Sequence, residues 1–272
     1  MKKWLYLLAF LLLLGIANVI INGQIPAAAG PVNEKVNMNK LDVEEFFYEK
    51  DGTFVLRDVN NGKTFVYDEK RAQQEFTPES TFKPVNALIG LQVEAVRDEY
   101  HIKEWDKVVR DFPIWNEDHT LGSAMKHSVV WYYQDMARHI GEERMQEWID
   151  KIEYGNQDIS GGIDRFWLDS SMQITPLQQA DFMEALHKEK LPFDNDVMKT
   201  VKRMMLEEEG EGYTIYGKTA TRLSDSGLGW YTGFIESGKR TYVFVTNIDG
   251  SGEEAKEITR NILDNYYRIS GE

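Results

Sequence analysis

The stretch Ser80-Thr81-Phe82-Lys83 places a serine and a lysine three positions apart at the start of an apolar segment. Residues i and i+3 share one face of a helix, so the Lys83 amine is expected to approach the Ser80 hydroxyl. A serine hydroxyl is a weak nucleophile at neutral pH and needs an adjacent base. Because burial disfavours the charged form of lysine, the amine can serve as that base or react further. Ser-x-x-Lys also arises by chance, so the rest of the chain decides.

Strands are predicted on both sides of this helix. The segments 53–59 and 63–68 alternate in polarity and are joined by Asn60-Asn61-Gly62, a hairpin turn because Asn and Gly accept positive φ. Further strands are predicted at 213–219, 229–236 and 241–247, before a closing helix at 253–267. Residues from about 84 to 209 are predicted to be mainly helical, with helices at 131–140, 142–152 and 194–209 and another that starts at Thr175-Pro176.

These elements predict an α/β fold of the α+β type. A central, mostly antiparallel sheet from both chain ends is flanked by helices and carries an inserted helical lobe. A cleft is expected between the sheet and the lobe. Residues 30–272 are expected to form this one domain.

The first 29 residues resemble a secretory signal peptide. A basic Met1-Lys2-Lys3 precedes an apolar run from Trp4 to Ile21, and Ala27-Ala28-Ala29 offers a small-residue cleavage site. The run approaches the roughly 20 residues that span a bilayer, so a retained membrane anchor is the alternative. The expected location is therefore outside the cytoplasm, with membrane contact only through an uncleaved segment.

Composition excludes several classes of function. The chain has no cysteine, which rules out thiol catalysis, disulfides and cysteine-ligated zinc. Its net charge of −14 opposes nucleic-acid binding, which depends on neutralising phosphates. Its five histidines form no dense metal-binding pattern, so no metal is expected.

Further short patterns follow the Ser80 stretch in order: Ser128-Val129-Val130, Tyr154-Gly155-Asn156, Trp167 and Lys218-Thr219-Ala220. Their order and spacing resemble the class D (oxacillinase-type) serine β-lactamases, over about residues 48–265. The marks of that family are S-T-F-K, S-x-V, Y-G-N, a loop tryptophan and K-[TS]-G. The resemblance implies a penicillin-binding transpeptidase-like fold, a small β-lactam substrate, and hydrolysis of penicillin-type antibiotics.

The resemblance also implies roles for individual residues. Ser80 attacks the lactam carbonyl to form an acyl-enzyme, and Lys83 takes up CO2 to become N6-carboxylysine, a general base. No cofactor beyond CO2 or bicarbonate is implied. Trp167 donates its indole N–H to the carbamate, because an indole is only a donor, and Val130 keeps that group dry.

The remaining implied roles concern the substrate. Ser128 relays a proton to the leaving nitrogen, Lys218 places a cation near Ser128 and the substrate carboxylate, and Thr219 hydrogen-bonds that carboxylate. The backbone N–H groups of Ser80 and Thr221 form the oxyanion hole. The Tyr154 triplet is expected to shape the neighbouring loop.

Two departures from the family pattern stand out. Ala220 replaces the glycine of the third triplet, so weaker or narrower activity is expected. The usual arginine of the last helix falls near Ala255, where Lys256 and Arg260 are the nearby cations. Three alternatives to hydrolysis stay open: a β-lactam sensor that acylates without turnover, a D-Ala-D-Ala peptidase, and a degenerate family member.

Overall fold

A computed structural model describes residues 38–267 of the chain. The expected signal peptide, residues 1–29, lies outside this described part. The strands are β1 (Met38–Lys40), β2 (Gly52–Asp58), β3 (Lys63–Tyr67), β4 (Ile102–Lys103), β5 (His119–Thr120), β6 (Leu206–Gly210), β7 (Tyr213–Thr221), β8 (Gly229–Ser237) and β9 (Arg240–Ile248).

Most of the helices lie between β5 and β6 along the chain. The helices are α1 (Glu69–Ala72), α2 (Lys83–Gln92), α3 (Leu121–Lys126), α4 (Val130–Ile140), α5 (Glu142–Ile152), α6 (Pro176–His187), α7 (Asn195–Met204) and α8 (Gly252–Tyr267). Three short 3-10 helices cover Glu44–Phe47, Glu79–Phe82 and Pro113–Trp115.

Strands from both chain ends form one seven-stranded sheet in the order β1-β3-β2-β9-β8-β7-β6. All neighbours in it are antiparallel except β1 and β3, which run parallel. The turn at Asn60-Asn61-Gly62 joins β2 to β3, and Gly62 has a φ of +70°. The predicted fold class, with its helical insert between the two groups of strands, is confirmed.

The sheet separates two hydrophobic cores because successive side chains of a strand point to opposite faces. Trp230 and Val243 pack into the larger core, which includes the helical lobe. Their neighbours Tyr231 and Phe244 pack into the smaller core together with α8. The sheet thus fixes the helical lobe on one face and the closing helix on the other.

The start of α6 follows its sequence pattern. The Thr175 hydroxyl accepts a hydrogen bond from the Gln178 N–H at 3.1 Å, and Gln178 Oε1 accepts one from the Thr175 N–H at 2.9 Å. Pro176 occupies the first helical position, where its missing N–H costs nothing. The prediction that a helix starts at Thr175-Pro176 is confirmed, with Thr175 as its N-cap.

The prediction that residues 84–209 are mainly helical is wrong in two stretches. Residues 93–120 and 153–174 consist mostly of turns, apart from β4, β5 and one short 3-10 helix. Their apolar residues anchor loops and do not form a helical stripe. The Trp115 indole, for example, donates to the His127 carbonyl at 2.9 Å, and the Trp115 carbonyl accepts from the Trp131 indole at 2.8 Å.

The predicted helix at 194–209 is also too long. It ends at Met204, and Leu206–Gly210 forms the edge strand β6. Glutamate favours helices, but the segment pairs with β7 through a turn that contains Gly212, with a φ of +82°. Cross-strand pairing therefore overrides local helix propensity here.

Within residues 38–267, the helices are all too short or too polar to cross a bilayer. The same residues contain no group of three or more histidine or carboxylate side chains placed to hold a metal ion.

Candidate active site

The predicted nucleophile lies on the turn that leads into α2. Ser80 belongs to the 3-10 helix Glu79–Phe82, and Lys83 is the first residue of α2. The Lys83 Nζ donates a hydrogen bond to Ser80 Oγ at 2.7 Å. The spacing of three residues thus brings amine and hydroxyl together, as the sequence predicts.

Lys83 is 1 % exposed. Burial lowers the pKa of its amine well below the ordinary value, the positive charge of Lys218 lowers it further, and the Glu79 carboxylate opposes the shift. The Nζ also lies 5.4 Å from the centroid of the Tyr133 ring. Burial in this pocket favours the neutral form of the amine, whose lone pair is then available for chemistry.

Trp167 is fully buried behind the nucleophile. Its ring stacks on that of Phe82, with centroids 5.5 Å apart. Its indole N–H finds no hydrogen-bond acceptor among residues 38–267. A buried donor without a partner is costly, so this site fits an acceptor that the protein's own side chains do not provide.

A second pair joins the sheet to the helical lobe. The Lys218 Nζ, on β7, donates to Ser128 Oγ at 2.5 Å and to the Thr219 carbonyl at 2.8 Å. Burial lowers the pKa of Lys218 to about 8. Ser128 has a φ of +54° and lies between α3 and α4. A non-glycine residue in this conformation is held there by its surroundings, as is common at functional sites.

Between these pairs lies a cleft of about 380 Å³. Ser80, Ser128, Val130, Thr219, Ala220 and Thr221 all line it. Lys83 and Trp167 lie buried behind Ser80, whereas Lys218 lines an adjoining cleft of about 660 Å³. The structure therefore brings the predicted residues together, with the Ser80 side chain lining the cleft and the Lys83 amine enclosed.

Comparison with known proteins identifies the family. Residues 52–267 match the penicillin binding protein transpeptidase domain family. The chain is 57 % identical over 271 residues to the probable beta-lactamase YbxI of Bacillus subtilis (strain 168), which covers 99 % of this chain and 100 % of that one. The solved structure of the class D beta-lactamase BAT-2 has a TM-score of 0.82 at 62 % identity, covering 84 % of this chain and 96 % of that chain. The chain belongs to the class D β-lactamases.

This membership confirms the resemblance drawn from the sequence patterns and makes the protein a β-lactam hydrolase by family. A further relative is the methicillin resistance mecR1 protein of Staphylococcus aureus, 32 % identical over 235 residues. The match covers 84 % of this chain and 40 % of that protein. The class D domain thus also resembles part of a longer protein.

The loop beside the β-lactamase site is fixed by the Tyr154 triplet. The Tyr154 ring packs edge-on against Phe82, with centroids 5.6 Å apart. Gly155 has a φ of +56°, and a Cβ there would lie 2.2 Å from the Gln173 carbonyl oxygen. The Asn156 N–H donates to that same carbonyl at 2.9 Å. These contacts are structural, and they hold the segment that carries Trp167.

The cations near Ala255 do not line the cleft that contains Ser80. Lys256 pairs with Glu207 at 2.6 Å, and Arg260 pairs with Glu208 at 2.5 Å. Both carboxylates belong to β6, the strand that the sequence did not predict. Each cation is therefore paired with a carboxylate, and Lys218 and Thr219 stay the predicted partners of a substrate carboxylate.

The sequence analysis did not predict the apolar wall that lines part of the cleft, nor one acidic residue beside it. The wall consists of Phe112, Ile114, Trp115, Leu168 and Leu223. The acid is Glu79, which precedes the nucleophile and also lines the cleft. The run Phe112-Pro113-Ile114-Trp115 could have indicated an apolar loop here, because proline within an apolar run argues against a helix interior. Glu79 carried no such signal, since the Asp169 N–H that it binds lies 90 positions further along the chain.

Proposed function

We propose that this class D enzyme hydrolyses the β-lactam ring of penicillin-type antibiotics through an acyl-enzyme on Ser80, with carboxylated Lys83 as general base. The observation that carries the proposal is the enclosed pair of Lys83 Nζ and Ser80 Oγ, 2.7 Å apart. The unpartnered indole N–H of Trp167 supports it, because the anion formed when CO2 adds to Lys83 accepts hydrogen bonds.

Carboxylation of Lys83 is chemically balanced without any further reagent. A neutral amine adds to CO2 and releases one proton, which leaves a carbamate anion. This anion can accept a proton at a pH close to neutral. The burial that lowers the pKa of Lys83 keeps this amine neutral. Trp167 would hold the anion through its N–H, and Val130, half-buried at the start of α4, would screen it from water.

The remaining steps use groups that the cleft presents. The Lys83 carbamate takes the proton of Ser80 Oγ as this oxygen bonds to the lactam carbonyl carbon, and the backbone N–H groups of Ser80 and Thr221 stabilise the developing oxyanion. Ser128 passes a proton to the ring nitrogen as the bond between the carbonyl carbon and this nitrogen breaks. Lys218 supports this transfer through its hydrogen bond to Ser128 Oγ. Lys218 and Thr219 bind the substrate carboxylate. The carbamate then takes a proton from the water that cleaves the Ser80 ester and releases the product.

The proposal predicts a response to bicarbonate that depends on pH. Because carboxylation releases a proton, acid favours the free amine, and penicillin hydrolysis should fall as pH drops below neutral. Added bicarbonate should restore the rate severalfold at acidic pH and have little effect at alkaline pH. Initial rates with benzylpenicillin, measured from pH 5 to 8 with and without bicarbonate, test this.

A pH-matched chloride salt controls for ionic strength. Equal rates with and without bicarbonate at every pH, in a metal-free buffer purged of CO2, would contradict the role of the carbamate while leaving Ser80 acylation open. Absence of any hydrolysis would contradict the activity itself.

The alternative is a β-lactam-binding sensor, or a weakly active penicillin-binding protein, that acylates without efficient turnover. The similarity to mecR1 is the observation that favours it. The two functions differ in deacylation. Rapid-quench mass spectrometry should show an acyl-enzyme mass that decays within seconds in a hydrolase. An acyl-enzyme mass that persists, with no hydrolysed penicillin released, would instead support the alternative.

Replacing Ala220 by glycine is expected to raise kcat/KM. Ala220 is 3 % exposed and pairs with Trp230 across β7 and β8. A Cβ at Gly252 would lie 2.6 Å from the Ala220 carbonyl oxygen, so the strand has no room to move away from the cleft. Removing the methyl should increase kcat/KM by about tenfold, the lower end of what one such group discriminates in a pocket. An unchanged or lower rate in a protein of normal melting temperature would refute this.

We also propose that residues 1–29 are a signal peptide and that the enzyme acts outside the cytoplasm. The basic start, the apolar run and the alanine triplet support this. Mass spectrometry of the exported protein should show a chain beginning near residue 30. An intact N-terminus in the membrane fraction would support the anchored alternative.

A further inference from the structure

The buried carboxylate of Glu79 directly precedes Ser80, and no step of the proposed hydrolysis uses it. Glu79 is 2 % exposed. Glutamate is rarely buried unless it is paired. Burial raises the pKa of Glu79, whereas the Thr77 hydroxyl and the Asp169 N–H act in the opposite direction. The burial of an acidic side chain at this position therefore calls for a physical explanation.

The hydrogen bonds of Glu79 join it to residues other than Ser80 and Lys83. Its Oε1 accepts hydrogen bonds from Thr77 Oγ1 at 2.8 Å and from the Asp169 N–H at 2.7 Å. Its own N–H donates to the Trp167 carbonyl at 2.9 Å. Two of these three bonds reach the segment Trp167–Asp169, about 90 residues further along the chain. We call this set of bonds the Glu79 brace.

The brace ties together three parts of the site. At one end is the turn that carries Ser80. At the other is the segment that carries the unpartnered Trp167 indole N–H and Leu168, which lines the cleft. The Asp169 carboxylate in turn accepts a hydrogen bond from Ser224 Oγ at 2.9 Å, which extends the brace to the loop after β7.

The backbone of Glu79 is strained where the brace begins. Its φ of +50° is left-handed, which is unusual for a residue with a side chain. Such conformations persist only where the surroundings hold them, and they cluster at functional sites. Both the side chain and the N–H of Glu79 bond to the Trp167–Asp169 segment, so this segment supplies the restraint.

We propose that Glu79 is a positioning residue that sets how firmly CO2 is retained on Lys83, by holding the Trp167 indole at the place where the carbamate forms. This inference rests on the proposed function. Without the side-chain bonds of the brace, only the Glu79 N–H still joins the nucleophile turn to the segment carrying Trp167. The indole N–H is then held less firmly, and the carbamate reverts more readily to amine and CO2.

The test measures the bicarbonate concentration that gives half-maximal penicillin hydrolysis. Glu79→Ala should raise this half-maximal bicarbonate concentration by about tenfold. That factor is the lower end of what residues that orient the ligands of a metal ion contribute to its affinity. Saturating bicarbonate should return kcat to near the wild-type value, because Ser80, Ser128 and Lys218 are untouched. Glu79→Gln keeps an acceptor oxygen and should lie between the two. The exposed Glu75→Ala, four positions upstream, is the matched control.

A second readout is the carbamate itself. The 13C NMR signal of protein equilibrated with 13C-bicarbonate should be weaker in Glu79→Ala at low bicarbonate and equal to wild type at saturation. Should Glu79→Ala fail to fold, Thr77→Val removes one bond of the brace and should raise the half-maximal concentration by a smaller factor.

The outcomes separate the two proposals. A wild-type enzyme with neither bicarbonate response nor carbamate signal refutes the proposed base and this inference together. A wild-type response that is unchanged in folded Glu79 and Thr77 variants refutes this inference alone. So does a Glu79→Ala enzyme that shows a full carbamate signal but a low kcat, because Glu79 would then act on another step.

Discussion

Lys83→Ala is expected to lower kcat for benzylpenicillin by about 100- to 10,000-fold, the usual contribution of a positioned proton acceptor. The loss should be the same with and without bicarbonate, because alanine has no nitrogen to carboxylate. Ser80 Oγ loses the hydrogen bond from Lys83 Nζ in this variant, and with it the base that the proposal assigns. Stopped-flow hydrolysis and mass spectrometry of the acyl-enzyme measure the effect.

The control is Lys239→Ala, which removes an exposed lysine from the turn between β8 and β9 and should leave kcat unchanged. Lys83→Met keeps the volume of the side chain and should be as inactive as Lys83→Ala. It should also raise the melting temperature, since it removes the cost of burying an amine. A Lys83→Ala enzyme that keeps more than about a tenth of wild-type kcat, below the usual contribution of such a base, would contradict the assigned role.

Trp167→Phe is expected to lower activity at ambient CO2 by about 10- to 100-fold. The substitution keeps an aromatic ring against Phe82 and removes the indole N–H, which is the donor left without a partner. A hydrogen bond to a charged group contributes about 1.5–3 kcal/mol, and each 1.4 kcal/mol corresponds to about tenfold in an equilibrium constant. The carbamate should therefore form less readily by that factor.

Bicarbonate distinguishes this loss from general damage. Saturating bicarbonate should restore most of the activity of Trp167→Phe but none of that of Lys83→Ala. Trp148→Phe is the matched control, because Trp148 stacks on Phe193 within the helical lobe and does not line the cleft that contains Ser80. A Trp167→Phe enzyme with normal activity in CO2-depleted buffer would show that the indole N–H has no role in holding the carbamate.

Local spacing explains why part of the site was predictable. Ser80 and Lys83 are one helical turn apart, so their contact follows from helix geometry. The strands on both sides are short runs rich in β-branched and aromatic residues and bounded by turn residues, so the sheet could be predicted from them. The Lys218–Ser128 contact joins residues 90 positions apart, and only the resemblance to class D enzymes indicated it.

Tertiary contacts explain why other parts were not predictable. The glutamates of β6 favour a helix when considered alone, yet they pair with β7 and with Lys256 and Arg260 of α8. Glu79 reads as a polar residue before a helix, and its burial depends on bonds to residues about 90 positions away. In both cases the deciding partner lies outside any window that a periodicity argument uses.

The central place of β2 in the sheet has a consequence for synthesis. Strand β2 begins at Gly52, and its partner β9 spans Arg240–Ile248. A nascent polypeptide that has not yet extended to β9 leaves one edge of its first hairpin unpaired. Non-local pairing of this kind slows folding, so we expect the sheet to close only after β9 has been synthesised.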